Sequence, residues 1–237
     1  MLAKHHDKIL CLLANDFSIS ELLKNGIDYI KENYLLLKLS GIAKPIKGDL
    51  KFYIGADKLN NMFIDSAEKG HLKVVKYLVS QGASIYARNN WSLRWSANNG
   101  HLEVVKYLVS QGADIHAWDD EALRWSASGG HLEIVKYLLS QGADVHVCNN
   151  WTLRWSAGKG HLEVVKYLVS QGADIHAEDD HALRWSAGKG HLKVVKYLVS
   201  QGANNSEALQ LSIKYNHPKV TKYLKSIKEK QNASKTP

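Results

Sequence analysis

The chain has very little cysteine. Cys11 and Cys148 are the two among 237 residues, far apart in sequence. They fit no metal-ligating or redox spacing, and they read as reduced thiols of an intracellular protein. Long apolar runs are absent too: no stretch approaches the roughly 20 apolar residues that a membrane-spanning helix needs. At the N-terminus Lys4, Asp7 and Lys8 break up the apolar residues, which argues against a secretory signal. No Ser-His-Asp, Cys-His or paired-carboxylate frame falls where a pocket would form, so catalysis is not expected and no cofactor is called for.

What is present is apolar content of 45%, a globular level that argues against global disorder. The formal net charge is +8, a value that raises the question of nucleic acid, but its distribution weakens that idea. Residues 88–207 carry 12 Lys and Arg against 13 Asp and Glu, whereas residues 208–237 carry 7 against 1. The middle of the chain is near neutral, and the basic excess sits at the ends, chiefly the C-terminal one.

The middle is periodic. Gly-His-Leu-[Glu/Lys]-[Val/Ile] recurs at Gly70, Gly100, Gly130, Gly160 and Gly190, each 30 residues after the last. A fixed period of this size marks supersecondary units that bury their apolar faces against their neighbours. Within residues 88–117, Asn90 is a candidate N-cap, as are Asp120, Asn150 and Asp180 in the other copies. Leu93 and Ala97 share one face of a short first helix. Gly100 suits a left-handed reversal. Leu102, Val105, Leu108 and Val109 give the apolar stripe of a second helix, Gly112 closes it, and Ile115 plugs the link to the next unit.

The string Gly-His-Leu-x-x-Val-Lys-Tyr-Leu-x-Ser-Gln-Gly-Ala resembles the ankyrin repeat over roughly residues 61–230. The resemblance implies an all-α solenoid of stacked helix-turn-helix units. It departs from the family in two ways. The 30-residue unit is about three short of the usual repeat, at the place where the family carries its β-hairpin finger. The family's Thr-Pro-Leu-His also reads here as Trp91-Ser92-Leu93-Arg94 and its counterparts. Shortened fingers, closer to tight turns than to hairpins, are therefore expected. The 30-residue variant is similar to ankyrin arrays of giant DNA viruses of amoebae, which implies a viral protein acting in the host cytoplasm on a protein partner, host proteins included, as a monomer.

The expected organisation is an N-terminal helical region over 1–60, built of degenerate repeats, a cap or a separate docking module. Repeats follow over 61–205 (61–87, 88–117, 118–147, 148–177 and 178–205), then a capping repeat over 206–230, whose lysines replace outer apolar residues, and a disordered basic tail over 231–237. In the resembled family, His71, His101, His131, His161 and His191 tie neighbouring backbone together. Packed helices lie on the order of 10 Å apart, too far for these histidines, or for His116, His146 and His176, to share one metal ion. Trp95, Trp125, Trp155 and Trp185 either form a packing ladder with the arginines before them or contribute to the inner face.

Partner-contacting residues are sought where otherwise matching copies differ, because constant slots make the same neighbour contact in every unit. The first slot reads Arg88, Trp118, Cys148, Glu178, and the fourth reads Trp91, Glu121, Trp151, His181. Two further slots read Asn98-Asn99, Ser128-Gly129, Gly158-Lys159 and Gly188-Lys189. Arg88, Trp91, Trp118, Glu121, Trp151, Glu178 and His181 are the candidate partner-binding residues, exposed tryptophan being a common anchor; surface drift is the alternative. The expected function is protein–protein recognition. Two alternatives are a substrate adaptor whose first 60 residues dock a second machine such as a ubiquitin ligase, and weak nonspecific nucleic-acid binding through the C-terminal lysines.

Overall fold

The computed structural model describes residues 56–204 and 206–233. The expected N-terminal region 1–60 lies almost entirely outside the described residues, as do 234–237. The described part is α-helical without strands and falls into two compact units, divided between Ser92 and Leu93. In the first, α1 (Ala56–Glu68) packs on α2 (Leu72–Ser80) over Leu59, Phe63, Val75 and Leu78, all fully buried. The division falls inside α3 (Ala87–Asn98).

The second unit continues with α4 (Leu102–Ser110), α5 (Ala117–Ser128), α6 (Leu132–Ser140), α7 (Val147–Lys159) and α8 (Leu162–Ser170). It ends with α9 (Ala177–Gly188), α10 (Leu192–Ser200), α11 (Ser206–Lys214) and α12 (Pro218–Ala233). The first helices α5, α7, α9 and α11 pack side by side in one row, and the second helices α4, α6, α8, α10 and α12 form a row behind them. The stack is thus an all-α array of helix-turn-helix repeats. The last helix continues to Ala233, three residues past the boundary expected from the sequence.

The core repeats with the sequence. Leu93, Leu123, Leu153 and Leu183 of the first helices are buried, as are Ala97, Ala127, Ala157 and Ala187 one turn later. Full burial of one such leucine contributes roughly 1.5–3 kcal/mol, repeated at every rung. The second-helix stripe is Val104, Val105 and Leu108, while Leu102 and Val109 lie at its half-buried margins. The expected stripe is therefore shifted by a fraction of a turn, because this helix is covered from more than one side.

Both helices of a unit end in a Schellman motif. After α4, the Ala113 amide donates to the Leu108 carbonyl (3.0 Å) and the Gly112 amide to that of Val109 (2.9 Å), with Gly112 at φ 91°. After α3, the His101 amide donates to the Ser96 carbonyl (2.9 Å), with Gly100 at φ 81°. The buried hydroxyls of Ser96, Ser126, Ser156 and Ser186 donate back to the carbonyl three residues earlier.

Successive repeats are tied by the Gly-His step. His131 Nε2 meets the Asn98 carbonyl at 2.8 Å, and His161, His191 and His217 meet those of Ser128, Gly158 and Gly188 at 2.9, 3.0 and 2.9 Å. The ring is the donor, so the nitrogen facing the carbonyl carries the proton. The same ring lies against the glycine of the preceding unit: a Cβ on Gly100, Gly130, Gly160 or Gly190 would come within 2.5–2.7 Å of it. Glycine is thus required twice over at these positions, for its positive φ and for the absence of a side chain.

Candidate functional site

The shortened fingers are turns of unusual backbone. Arg88-Asn89-Asn90, Trp118-Asp119-Asp120, Cys148-Asn149-Asn150 and Glu178-Asp179-Asp180 all have φ between 49° and 59°. In each, the third amide bonds the carbonyl four residues back: Asp120 to His116 (3.3 Å), Asn150 to His146 (3.1 Å), Asp180 to His176 (3.2 Å). These are single left-handed helical turns made of L-residues, each residue costing about 1–2 kcal/mol relative to right-handed backbone. Asn90, Asp120, Asn150 and Asp180 are therefore the last residues of these turns rather than ordinary N-caps, whose backbone is typically extended. Asn and Asp at the second and third places fit, since their short polar side chains tolerate this region best.

Their side chains hold the unit together around the turn. The Asn150 side-chain oxygen accepts the Asp174 amide, near the far end of the same unit, at 2.8 Å. Asp120 accepts from the Asp144 amide and from His116 Nδ1 (2.9 Å), while burial pushes its carboxyl upward.

The arginine that replaces the family's histidine clamps the left-handed turn. Arg124 donates from Nε to the Asp119 carbonyl (2.9 Å) and from Nη2 to that of Trp118 (2.6 Å). Arg154 does the same to Asn149 and Cys148, both at 3.1 Å. Arg184 repeats it on Asp179 and Glu178, at 3.1 and 3.0 Å. The trimmed finger and the Leu-Arg-Trp substitution are thus one device: a short turn whose outward carbonyls need a planar, two-pronged donor.

Each arginine also faces the fourth slot of the following unit. Arg94 pairs with Glu121. The Arg124 guanidinium lies 5.2 Å over the Trp151 ring. Arg184 bonds Glu207 at 2.8 Å. His181, half-buried near Arg154 and Arg184, has its pKa held below the ordinary 6.5 by burial first and by those charges second. The fourth slot varies among groups that can answer an arginine: a carboxylate, an aromatic face or a neutral imidazole.

The seven candidate residues therefore differ in surroundings. Trp118 is 59% exposed at the tip of its turn, with Arg94 5.4 Å from its ring. Arg88 is exposed and donates to Asn61 at 2.9 Å. Glu178 is exposed and accepts from Asn149 at 3.0 Å. Trp91, Glu121, Trp151 and His181 are half-buried. Trp151 stacks on Trp155 (4.7 Å, 19°), and His181 meets Trp185 edge-on (5.2 Å). The recurring tryptophans touch in pairs, Trp95 with Trp125 at 5.4 Å and Trp155 with Trp185 at 4.7 Å, both edge-to-face.

Within the second unit Trp118, Glu121, Trp151, Glu178 and His181 lie on successive repeats rather than around one centre. Among the described residues no group of three or more His, Cys, Asp or Glu could hold a metal ion, and no helix is long and apolar enough to cross a membrane. Lys159 and Lys189, beside the Trp155–Trp185 pair, are absent from the candidate set, although their slots vary between copies. Gly158 and Gly188 beside them resemble turn residues in the sequence, which gives these lysines little signal of a surface.

A family model describing ankyrin repeats matches three times, over residues 39–119, 93–179 and 157–235. The chain belongs to the ankyrin repeat family. An ankyrin repeat protein of Acanthamoeba polyphaga mimivirus is 39% identical over 100 residues, covering 38% of this chain and 46% of that relative. The match thus spans about half of the relative's length. This ankyrin chain carries the family's helix pairs and Gly-His step, and it replaces the finger with an arginine-clamped left-handed turn.

Proposed function

We propose that the chain is a non-catalytic recognition scaffold that binds a protein partner through the inner face of its first helices and the inter-repeat turns. Ankyrin repeats are in general protein–protein interaction modules, and the inner face and turns are where the copies of this chain differ. The observation that carries the reading is Trp118, an indole 59% exposed on a turn whose backbone is fixed by Arg124. A rigid exposed aromatic loses little conformational entropy when it is covered, which suits it as a binding anchor. The viral relative makes host proteins the natural partners to test.

The test is affinity capture with the full chain against Trp118→Ala from host-cell extract, quantified protein by protein. Partners that disappear from the variant while its helicity is unchanged are the expected outcome; identical capture in identical amounts sinks the reading.

A second reading has one observation in its favour. The interior second helices pair Glu133 with Lys136 and Glu163 with Lys166 at 2.8 and 2.9 Å, but Lys193 and Lys219 stand where those glutamates would, and Lys222 and Lys225 are exposed beside them. Salt-sensitive, sequence-independent attraction to nucleic acid follows if this face acts alone. Loss of that attraction on deleting 208–237 would assign it to the C-terminal end.

A further inference from the structure

Between α7 and α9 runs a groove of about 400 Å³, lined by Trp155, Gly158, Lys159, Trp185, Lys189 and His191. Its floor is the edge-to-face pair Trp155 and Trp185. Gly158 keeps it open on one side, its bare Cα lying where a Cβ would come within 2.7 Å of the Trp185 ring. His191 forms a wall, its Nε2–H committed to the Gly158 carbonyl at 3.0 Å. Lys159 and Lys189 are exposed at the rim, on successive repeats at the same position.

The corresponding hollow nearer the N-terminal end of the stack is lined by Trp95, Asn98, Trp125, Ser128, Trp151 and Trp155. It has the same aromatic floor and no lysine. The apolar floor is common to the two hollows, and of the two only the α7–α9 one has a lysine rim.

We propose that the α7–α9 groove binds an acidic peptide segment, an apolar side chain entering against Trp155 and Trp185 and flanking carboxylates meeting Lys159 and Lys189. This deepens the recognition reading above and rests on it. Charge complementarity selects the acid, since the rim carries two ammonium groups and no carboxylate. Geometry selects the spacing. Neighbouring packed helices lie roughly 10 Å apart, and an extended chain advances roughly 3.3 Å per residue, so the carboxylates belong about three residues apart with the apolar residue between them. The aromatic arrangement favours a peptide over a nucleic-acid strand. One face of Trp155 is already covered by Trp151, and it meets Trp185 edge-on at 78°, so the two rings do not form a continuous platform for successive bases.

The experiment is selection of a random twelve-residue phage-displayed peptide library on the full chain, followed by titration of the winning peptides and of a labelled twelve-nucleotide oligo-dT. The expected winners carry two acids three residues apart around an apolar residue. They bind roughly ten-fold more weakly to Lys159→Glu/Lys189→Glu, with a smaller loss for Lys159→Gln/Lys189→Gln and little change for Trp118→Ala. Both lysines are exposed, and unchanged circular dichroism and melting will show that the variants keep the fold. Winners that are neutral or basic, or that ignore both lysine variants, overturn the groove assignment while leaving protein recognition standing. Oligo-dT binding that depends on the same lysines, without peptide binding, overturns the peptide occupant. No binding of any probe overturns the groove assignment, while the recognition reading stands or falls with the capture experiment.

Discussion

An interior repeat and the last repeat of this chain use equivalent residues under different obligations. In the interior, Gly160 has φ 82° and the His191 ring against its Cα, with a would-be Cβ at 2.6 Å. At the last described unit the equivalent residue is Asn216, with φ 58°, exposed and with no further repeat after it among the described residues. His217 keeps its backward bond to the Gly188 carbonyl, because a preceding unit does exist. The last unit also has Gln210 where the others have arginine, and no left-handed triplet is found before it among the described residues. A residue in this stack is constrained by the neighbour on a particular side, and exposed Asn216 shows the backbone requirement by itself.

The largest effect that would sharpen this comparison comes from alanine at the two equivalent positions. Gly160→Ala must accept both a positive φ and a collision with His191, and a loss of about 3 kcal/mol is expected in urea unfolding. Asn216→Ala faces the backbone term alone, and about 1 kcal/mol is expected. Equal losses would break the comparison. Next is the clamp: Arg154→Ala removes two charge-assisted bonds from the Cys148 and Asn149 carbonyls, and about 2 kcal/mol should go. Gln210→Ala, with no such turn to hold, should cost only a few tenths of a kcal/mol. A smaller effect of opposite sign is expected from Cys148→Gly. Glycine relieves an exposed left-handed residue at φ 49°, so a gain of about 0.5–1 kcal/mol is predicted; destabilisation would show that the triplet is not strained.

The smallest effect is the pH dependence. Burial holds His191 and His181 below the ordinary imidazole value of 6.5, so the unfolded chain takes up protons at a higher pH than the folded one. Their contribution is complete above about 6.5 and is lost as the pH falls through 6.5 toward the lowered folded values. Urea midpoints measured between pH 7.5 and 5.5 should decline, and less steeply in His191→Gln. A flat profile would mean that His191 and His181 are not held neutral by burial.

The sequence made the repeat, the two-helix unit, the Schellman glycines and the shortened finger legible, because each rests on periodicity or on a residue with one strong backbone preference. The left-handed triplet was not legible. Trp118 and Glu178 at positive φ break the rule by which glycine marks such backbone, and the paired Asn-Asn and Asp-Asp that tolerate it also read as ordinary caps. The arginine clamp was hidden for the same reason, since its acceptors are main-chain carbonyls that have no letter in the sequence. The fourth slot looked like free surface because it varies. Glu121, Trp151 and Glu207 show it varying among groups that suit the arginine before them. Variation between copies therefore marks two different things here: a changing answer to a constant neighbour, and, at Lys159 and Lys189, a changing face toward the outside.

The Gly-His clasp gives the array a direction of inheritance. Each copy brings a socket for the copy after it and a plug for the copy before it, and a 30-residue period contains one of each. A duplicated 30-residue segment therefore arrives already compatible on both sides, wherever in the interior it is inserted. The array can lengthen or shorten by whole periods without inventing a new joint, and its length becomes a trait that recombination alone can adjust.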